Sequence, residues 1–434
     1  MVEISGIFQQ SQSMQLSKLL VRVLEKLERL EVIRWECTLV PSNILLHLNQ
    51  RQRTPRVYIK THGTLLSRDY SDRPKFNSPS IWSFSTSLSP ANFCQHNAVK
   101  NLIFSSPSLQ TLRIRIRYGV ESGLPVLFIL DRNDVLPAIK TMKLTNCRFE
   151  RNQAERWAQC LQADHLKSLT LDGTDHLTDL LIHLTGRVPN LTSLGLRIRP
   201  DRYGNLSRTC AALEKFLRGI NALESFTAFD FPRSILSTVV TLQGPHLRTL
   251  RFRRTRFNGP GKSVFTFAEL RSYALSLPRL ERLGIDLCVY QPPCYSYDIL
   301  LGIGRFPGLK HVELNVPFLR GEYAAYHVNA LGAEMVFRHL SWAKMWYKKL
   351  RPQEGPWARF ETLDIKLGEW EPIRPPLASG SPIRQQMYTC RRVSDSSDKP
   401  MTVLVTRGYE PGDDDNRYER ALASAGLRDM ADGL

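Results

Sequence analysis

A short apolar phrase, Leu-x-x-Leu-x-Leu with close variants, recurs along most of the 434 residues of this chain. Clear examples begin at Leu109, Leu166, Leu191 and Leu247. Successive phrases are 24 to 33 residues apart, except for a last step of 51 residues. A period of this length predicts stacked supersecondary units, each too small to bury its own apolar face. The second apolar residue of the phrase falls at positions 30, 57, 82, 112, 142, 169, 194, 226, 250, 283, 312 and 363.

Each repeat combines a strand pattern with a helix pattern. Residues 112–117 alternate between aliphatic side chains and arginine, which places the two kinds on opposite faces of a strand. Between the phrases lie stripes with helical spacing, such as Leu177, Leu180, Leu181 and Leu184. This alternation predicts an α/β solenoid, with parallel strands on its concave face and helices on its convex face.

The pattern also predicts how the chain is divided. Residues 1–29 are expected to form an N-terminal helical cap, and residues 30–370 a solenoid of about 12 irregular repeats. A helical insertion near 323–350 accounts for the long last step. Residues 371–434 are expected to contain a linker, a terminal β-hairpin and a flexible tail.

Composition narrows the class of protein. No apolar run reaches the roughly 18 to 20 residues that span a bilayer, and the first residues lack a secretory pattern, so we expect no membrane association and an intracellular location, cytoplasmic or nuclear. The eight cysteines are scattered without CxxC pairs, which favours buried free thiols. The formal net charge is +18, and residues 376–434 hold 8 basic against 9 acidic residues, so the surplus belongs to the repeats.

The repeats resemble the leucine-rich-repeat region of the fungal family of F-box-like proteins, over roughly residues 20–370. The phrases that carry the resemblance are SSPSLQTLRIRI, RVPNLTSLGLRI, SLPRLERLGIDL and RFPGLKHVELNV. The resemblance implies a ribonuclease-inhibitor-like horseshoe that holds the substrate of a cullin-type ubiquitin ligase. A single segment, which begins Val40-Pro41-Ser42, imitates the opening of an F-box, but the F-box itself is not found. We therefore expect a ubiquitin ligase adaptor as partner only if an F-box exists upstream.

Sequence motifs for chemistry are incomplete. Residues 258–263, NGPGKS, end like a phosphate-binding loop, but Arg256 stands where that motif requires glycine. The Cys160 and His165 pair and the His176 and His183 pair lack the spacing of metal ligands. We expect no enzyme activity, no catalytic residue, no cofactor and no metal site.

The strand register predicts which charged side chains project from the concave face. These side chains are basic on the earlier strands and mixed to acidic on the later strands. One interpretation is a solvated surface without a ligand. A second is a protein partner with an acidic surface, and a third is electrostatic binding of RNA or DNA. We favour the protein partner over nucleic acid. The predicted partner-binding residues are Arg113, Arg115, Arg117, Lys143, Arg197, Arg199, Arg251, Arg253, Asp286, Glu313 and Asp364.

Overall fold

The computed structural model describes most of the repeat region. The described residues form two compact units, which fall within Met1–Leu223 and Glu224–Leu434. The described residues are 1–6, 13–27, 29–37, 42–51, 53–62, 78–89, 93–116, 127–147, 149, 152–173, 177–198, 206–253, 265–287, 297–316, 330–354, 357–367, 386–393 and 403–408.

The first unit alternates strands with helices. Neighbouring strands pair in parallel and in chain order from β1 to β8. The strands are β1 Val2–Gly6, β2 Val32–Cys37, β3 Arg56–His62, β4 Ile81–Leu88, β5 Thr111–Ile116, β6 Thr141–Thr145, β7 Ser168–Asp172 and β8 Ser193–Arg197. The helices are α1 Ser13–Glu25, α2 Ser42–Asn49, α3 Phe93–Phe104, α4 Gln153–Cys160, α5 Leu177–Leu184 and α6 Leu206–Arg218, with a 3₁₀ turn at Ala163–His165.

The second unit has the same plan with a different end. Strands β9 to β13 pair in parallel, whereas β13, β14 and β15 pair antiparallel. The strands are β9 Ser225–Phe229, β10 Thr249–Arg253, β11 Arg282–Asp286, β12 His311–Val316, β13 Thr362–Leu367, β14 Gln386–Arg392 and β15 Val403–Gly408. The helices are α7 Arg233–Gln243, α8 Phe267–Ser276, α9 Tyr297–Gly304 and α10 Ala330–Leu350, with 3₁₀ turns at Gly244–His246 and Pro352–Glu354.

The core lies between the sheet and the helices. Leu112 pairs in register with Phe84 on one side and Met142 on the other, and all three are buried. The next inward residues of β5 and β6, Ile114 and Leu144, are also buried, so aliphatic columns run across neighbouring strands. On β4 this position is Thr86, whose buried hydroxyl accepts a hydrogen bond of 2.9 Å from Thr61. Each buried aliphatic side chain contributes roughly 1.5–3 kcal/mol relative to exposure. The predicted α/β leucine-rich-repeat fold, with parallel strands and returning helices, is confirmed.

Seven of the described strands, β6 to β8 and β10 to β13, begin in the same way. The carbonyl of Lys140 accepts hydrogen bonds from the backbone N–H groups of Lys167 and Ser168, at 2.8 and 2.9 Å. The carbonyls of Gln110, Lys167, Glu224, Arg248, Glu281 and Lys310 are shared between two N–H groups of the next repeat in the same way. A doubly used carbonyl satisfies the backbone at the point where the chain turns from helix to strand, and it sets the register of the next repeat.

The first repeats differ from the prediction in register. We call the second apolar residue of each phrase its anchor. The sequence predicts Leu30 as the anchor of the first phrase, but the residues of β2 that enter the core are Ile33 and Trp35. On β4 the anchor is Phe84 instead of Trp82, because the pairing with β3 shifts by one residue between Val57 and Tyr58. Outside the core, the ring of Trp82 lies 4.3 Å from the Arg56 guanidinium, which holds it by a cation–π contact.

The ends of the repeat array show further differences. The predicted helical cap, residues 1–29, contains α1, but β1 precedes that helix and pairs with β2. The short alternation Val2-Glu3-Ile4 has the period of a strand, which explains β1. Within the predicted insertion, α10 begins at Ala330, and residues 323–329 lie outside the described residues, as do most of 371–434. Among the described helices, none is long and apolar enough to cross a membrane.

Candidate partner-binding surface

The predicted site residues of the described strands lie on the sheet face opposite the helices, which we call the open face. In the first unit, Arg113 on β5 pairs in register with Lys143 on β6, and Arg115 pairs with Thr145. Arg113 is exposed, and Arg115 and Lys143 are half-buried. Strands β5 and β6 contain no acidic residue, so these three side chains form a basic cluster. We call Arg113, Arg115 and Lys143 the basic cluster below.

Arg197 on β8 lies beside an acid of the neighbouring strand. Its guanidinium lies 3.2 Å from the carboxylate of Asp172, which is its register partner on β7. An ion pair across neighbouring strands cancels most of the positive charge that the sequence assigns to this position. Arg117 and Arg199, also predicted site residues, lie outside the described residues.

In the second unit, the predicted acidic and basic residues bind each other. Glu313 lies 3.3 Å from the guanidinium of Arg251 and 3.3 Å from the ammonium of Lys366. Arg253 lies 3.5 Å from the carboxylate of Asp286. These ion pairs neutralise, within the unit itself, charges that were expected to face a partner.

Burial and charge act in opposite directions on Glu313. Burial alone would raise the pKa of this carboxyl, but Lys366, Arg251 and Arg253 together hold the pKa below its ordinary value. Glu313 is therefore ionised at neutral pH and is the centre of the network. We call Arg251, Arg253, Asp286, Glu313 and Lys366 the charge network.

Asp364 has its own partner. The Thr389 hydroxyl on β14 donates a hydrogen bond of 2.8 Å to this carboxylate, and the two residues are register partners. An acid that was expected to face a ligand thus contacts the terminal hairpin. Three carboxylates, those of Asp286, Glu313 and Asp364, thus lie beside Arg251, Arg253 and Lys366 on the described part of the second unit's open face.

Gly284 allows the ion pair between Arg251 and Glu313, which reaches across an intervening strand. Arg251 on β10 and Glu313 on β12 are separated by β11, where Gly284 is the register partner of both. A Cβ atom at Gly284 would lie 2.8 Å from Cγ of Arg251, closer than packed side chains approach. Without a side chain at this position, Arg251 can extend over β11 to reach the carboxylate.

We expect Gly284→Ala to lower the free energy of unfolding by about 1–3 kcal/mol, because the added methyl displaces the Arg251 side chain. Urea denaturation measures the loss. In an Arg251→Ala background the same substitution should cost less than about 1 kcal/mol, since the colliding atoms are gone. An equal cost in both backgrounds would show that the side chain of Arg251 is not the obstacle.

Chemistry-bearing groups elsewhere are built into the core. Burial raises the pKa of the Cys147 thiol above its usual range and that of Cys390 to about 12. Cys147, Cys160 and Cys390 are free and buried. No group of three or more His, Cys, Asp or Glu side chains that could hold a metal is found among the residues with described positions. The 258–263 segment lies outside those residues.

The segment that imitates an F-box opening is part of a repeat. From Ser42 onward it forms α2, which connects β2 with β3. Ile44, Leu45 and Leu48 of this helix are buried. The apolar residues that suggested an F-box are therefore used to pack a repeat helix, while Val40 and Pro41 lie outside the described residues.

Comparison with known proteins assigns no family to this chain. No protein-family model and no curated protein matches it. Among solved structures it is similar to the leucine-rich repeat-containing protein LegL7 from Legionella pneumophila, with 15% sequence identity and a TM-score of 0.38. The match covers 71% of this chain and 97% of that one. The resemblance to fungal F-box-like proteins stays a prediction.

Proposed function

We propose that this chain is a non-catalytic protein-interaction module that binds an acidic protein segment at the basic cluster of its first unit. The observation that carries the proposal is the contrast between the two open faces. Strands β5 and β6 contribute three cations and no acid to their open face, whereas β11, β12 and β13 contribute Asp286, Glu313 and Asp364 to theirs. Like charges on neighbouring strands cost roughly 0.2–1 kcal/mol per pair, and an acidic ligand would remove that cost.

Nucleic acid is the second candidate, since a basic surface also attracts phosphates. The basic cluster is confined to two strands about 4.8 Å apart, so it supports only a few phosphate contacts. A protein segment with two or three carboxylates fits this size better. For that reason we rank protein above RNA or DNA.

A finer form of the proposal is that the acidic segment belongs to the substrate of an F-box-type ubiquitin ligase. The support for it is the resemblance of the repeats. It requires an F-box in frame upstream of Met1, and the ligase adaptor would then be a second partner. Sequencing the transcript upstream of Met1 tests this form, because a reading frame without an F-box would eliminate it.

Charge reversal tests the basic cluster. We expect Arg113→Glu with Lys143→Glu to weaken binding of a labelled oligoglutamate peptide at least tenfold, because two attractive contacts become repulsive. Fluorescence anisotropy at roughly 50 mM salt measures the affinity. The matched control is Lys215→Glu with Arg218→Glu, which makes the same change of charge on the exposed side of α6.

The control should change the affinity less than threefold. Equal weakening by both double variants would show that only net charge matters and would contradict a site on β5 and β6. Tighter binding of single-stranded DNA than of the peptide, with a steep loss between roughly 50 and 200 mM salt, would favour the nucleic-acid candidate instead.

A further inference from the structure

Helix α10 has an exposed apolar stripe along its whole length. Trp342 is 51% exposed and Trp346 is 42% exposed, and their rings stack with centroids 6.1 Å apart and planes inclined by 9°. Large apolar side chains normally lie inside a folded unit. The concentration of exposed ones on one side of a helix therefore requires an explanation. The exposed apolar side chains of the stripe are Leu331, Met335, Trp342, Met345, Trp346 and Leu350.

The stripe is not the face that α10 uses to pack on its own unit. The buried face carries Phe337, Leu340 and Tyr347. Beside the stripe, the ring of Tyr297 on α9 lies 5.2 Å from that of His339, which in turn lies 5.9 Å from Trp342. Burial lowers the pKa of His339, so this side chain is neutral at pH 7 and continues the apolar surface.

The area is sufficient for an interface. Seven half-exposed side chains, counting Tyr297, present on the order of 100 Å² each, or roughly 700 Å² together. A standard protein interface buries about 800 Å² on each partner, and patches above a few hundred Å² mark interaction sites. The composition agrees, because Trp, Tyr, Met and Arg are the residues enriched in interface cores.

The spacing of the stripe is symmetric about the middle of the helix. Leu331 and Leu350 are equally far from the point between residues 340 and 341, and so are Met335 and Trp346, and His339 and Trp342. An antiparallel copy of α10 would place each of these residues opposite its counterpart. A two-fold interface requires such self-complementarity, because the same patch serves both chains.

The charges beside the stripe are complementary under the same rotation. Glu334 stands near the start of α10, and Lys348 and Lys349 stand in its last turn, on the same side of the stripe. Within one copy Glu334 accepts hydrogen bonds of 2.7 and 2.8 Å from the Arg338 guanidinium. In an antiparallel pair it would also lie near the two lysines of the other copy, once at each end. A two-fold partner therefore covers the apolar residues and adds opposite charges at both ends of the helix.

We propose that the chain forms a homodimer through antiparallel packing of the α10 stripes. The α10 stripe includes no residue of the basic cluster, so a dimer carries two acidic-segment sites. Dimerisation thus extends the proposed function without depending on it.

The test is the molar mass of the full chain, measured by light scattering after gel filtration or by sedimentation equilibrium from ~1 to ~100 µM. We expect a concentration-dependent dimer. Trp342→Ala with Trp346→Ala should raise its dissociation constant about 100-fold, because buried tryptophans dominate interface energies and each occurs twice. Leu275→Ala, which removes an exposed apolar side chain from α8, should leave the constant unchanged, and circular dichroism checks that the variants fold.

Charge variants distinguish a two-fold pair from any other contact. Glu334→Lys alone and Lys348→Glu with Lys349→Glu alone should each weaken the dimer roughly tenfold, because each places like charges at both ends. Mixing these two variants should restore association, since each lysine then meets a glutamate. A mass of one chain over the whole concentration range, a dimer insensitive to the tryptophan substitutions, or no recovery on mixing would each overturn the proposal.

Discussion

Replacing Lys344 with Met is expected to remove a contribution of this side chain that raises the free energy of unfolding by about 3 kcal/mol between about pH 7 and pH 9.5. Lys344 is buried on α10. Its Nζ atom donates a hydrogen bond of 3.0 Å to the carbonyl of Phe306, and a second one to that of Leu309. The side chain thereby ties α10 to the turn between α9 and β12.

The sign follows from the protonation of the two states. Burial lowers the pKa of Lys344 from the ordinary 10.5 to about 7, the nearby Glu361 opposing the shift. Between these values the unfolded chain binds the proton and the folded chain does not, so stability rises with pH. Below about pH 7 both states are protonated, and the full cost of burying the charge is present.

Urea denaturation of both chains at the two pH values measures the effect. The buried thiols of Cys147 and Cys390 ionise on unfolding in the same range and act in the opposite direction. The informative quantity is therefore the difference between the chains, in which the thiols cancel. Lys215→Met, on the exposed side of α6, is the control and should retain the natural pH dependence. If Lys344→Met retains it as well, the lysine is not neutral in the folded protein.

The position of Lys344 also shows what could not be predicted from residue types. Hydrophobicity suggests that Trp342 and Trp346 pack inside and that Lys344 faces water, but the structure has the reverse arrangement. The helical period explains it, because Phe337, Leu340 and Lys344 share one face. The two carbonyls that accept hydrogen bonds from the Lys344 amino group belong to a turn more than 30 residues earlier, and no local pattern indicates them.

The columns of buried residues that run across neighbouring strands, in contrast, could be predicted. A period of two in a strand and a repeat of about 27 residues require only local patterns, so Leu112, Met142 and Leu169 could be aligned without knowledge of their neighbours. The alignment is wrong near β2, β3 and β4, where Phe84 pairs in register with Ile59 instead of Val57. There Trp82 resembles an anchor by composition, but it lies outside the core against Arg56.

The sequence predicts which side of the sheet the candidate site occupies, but not which of its residues contact one another. The period assigned Arg251 and Glu313 to the same side of the sheet correctly. Their ion pair depends on a glycine of the intervening strand and on residues 62 positions apart, and neither is visible in a single repeat. This pairing is the reason why the basic cluster on β5 and β6, instead of the whole predicted set, carries the proposed function.

Replacing Glu313 with Gln is expected to lower the free energy of unfolding by about 3 kcal/mol, because it leaves the guanidinium of Arg251 and the ammonium of Lys366 without their carboxylate. Lys366 and Glu313 are each only 12% exposed, so water replaces little of the lost interaction. Arg251 is half-exposed, which keeps the expected loss at the lower end for a buried ion pair.

Glu281→Gln is the matched control for that substitution. Glu281 also contacts two cations, Arg248 at 3.1 Å and Lys310 at 3.9 Å, but all three side chains are more than a third exposed. We expect the control to cost less than about 1 kcal/mol in urea denaturation at pH 7. Because the pKa of Glu313 is lowered by folding, its contribution is present above the ordinary carboxyl range and is lost as the pH falls through the folded value. The difference between Glu313→Gln and the natural chain should therefore close in acid, and equal costs for the two variants at pH 7 would show that the charge network adds no stability beyond that of a surface ion pair.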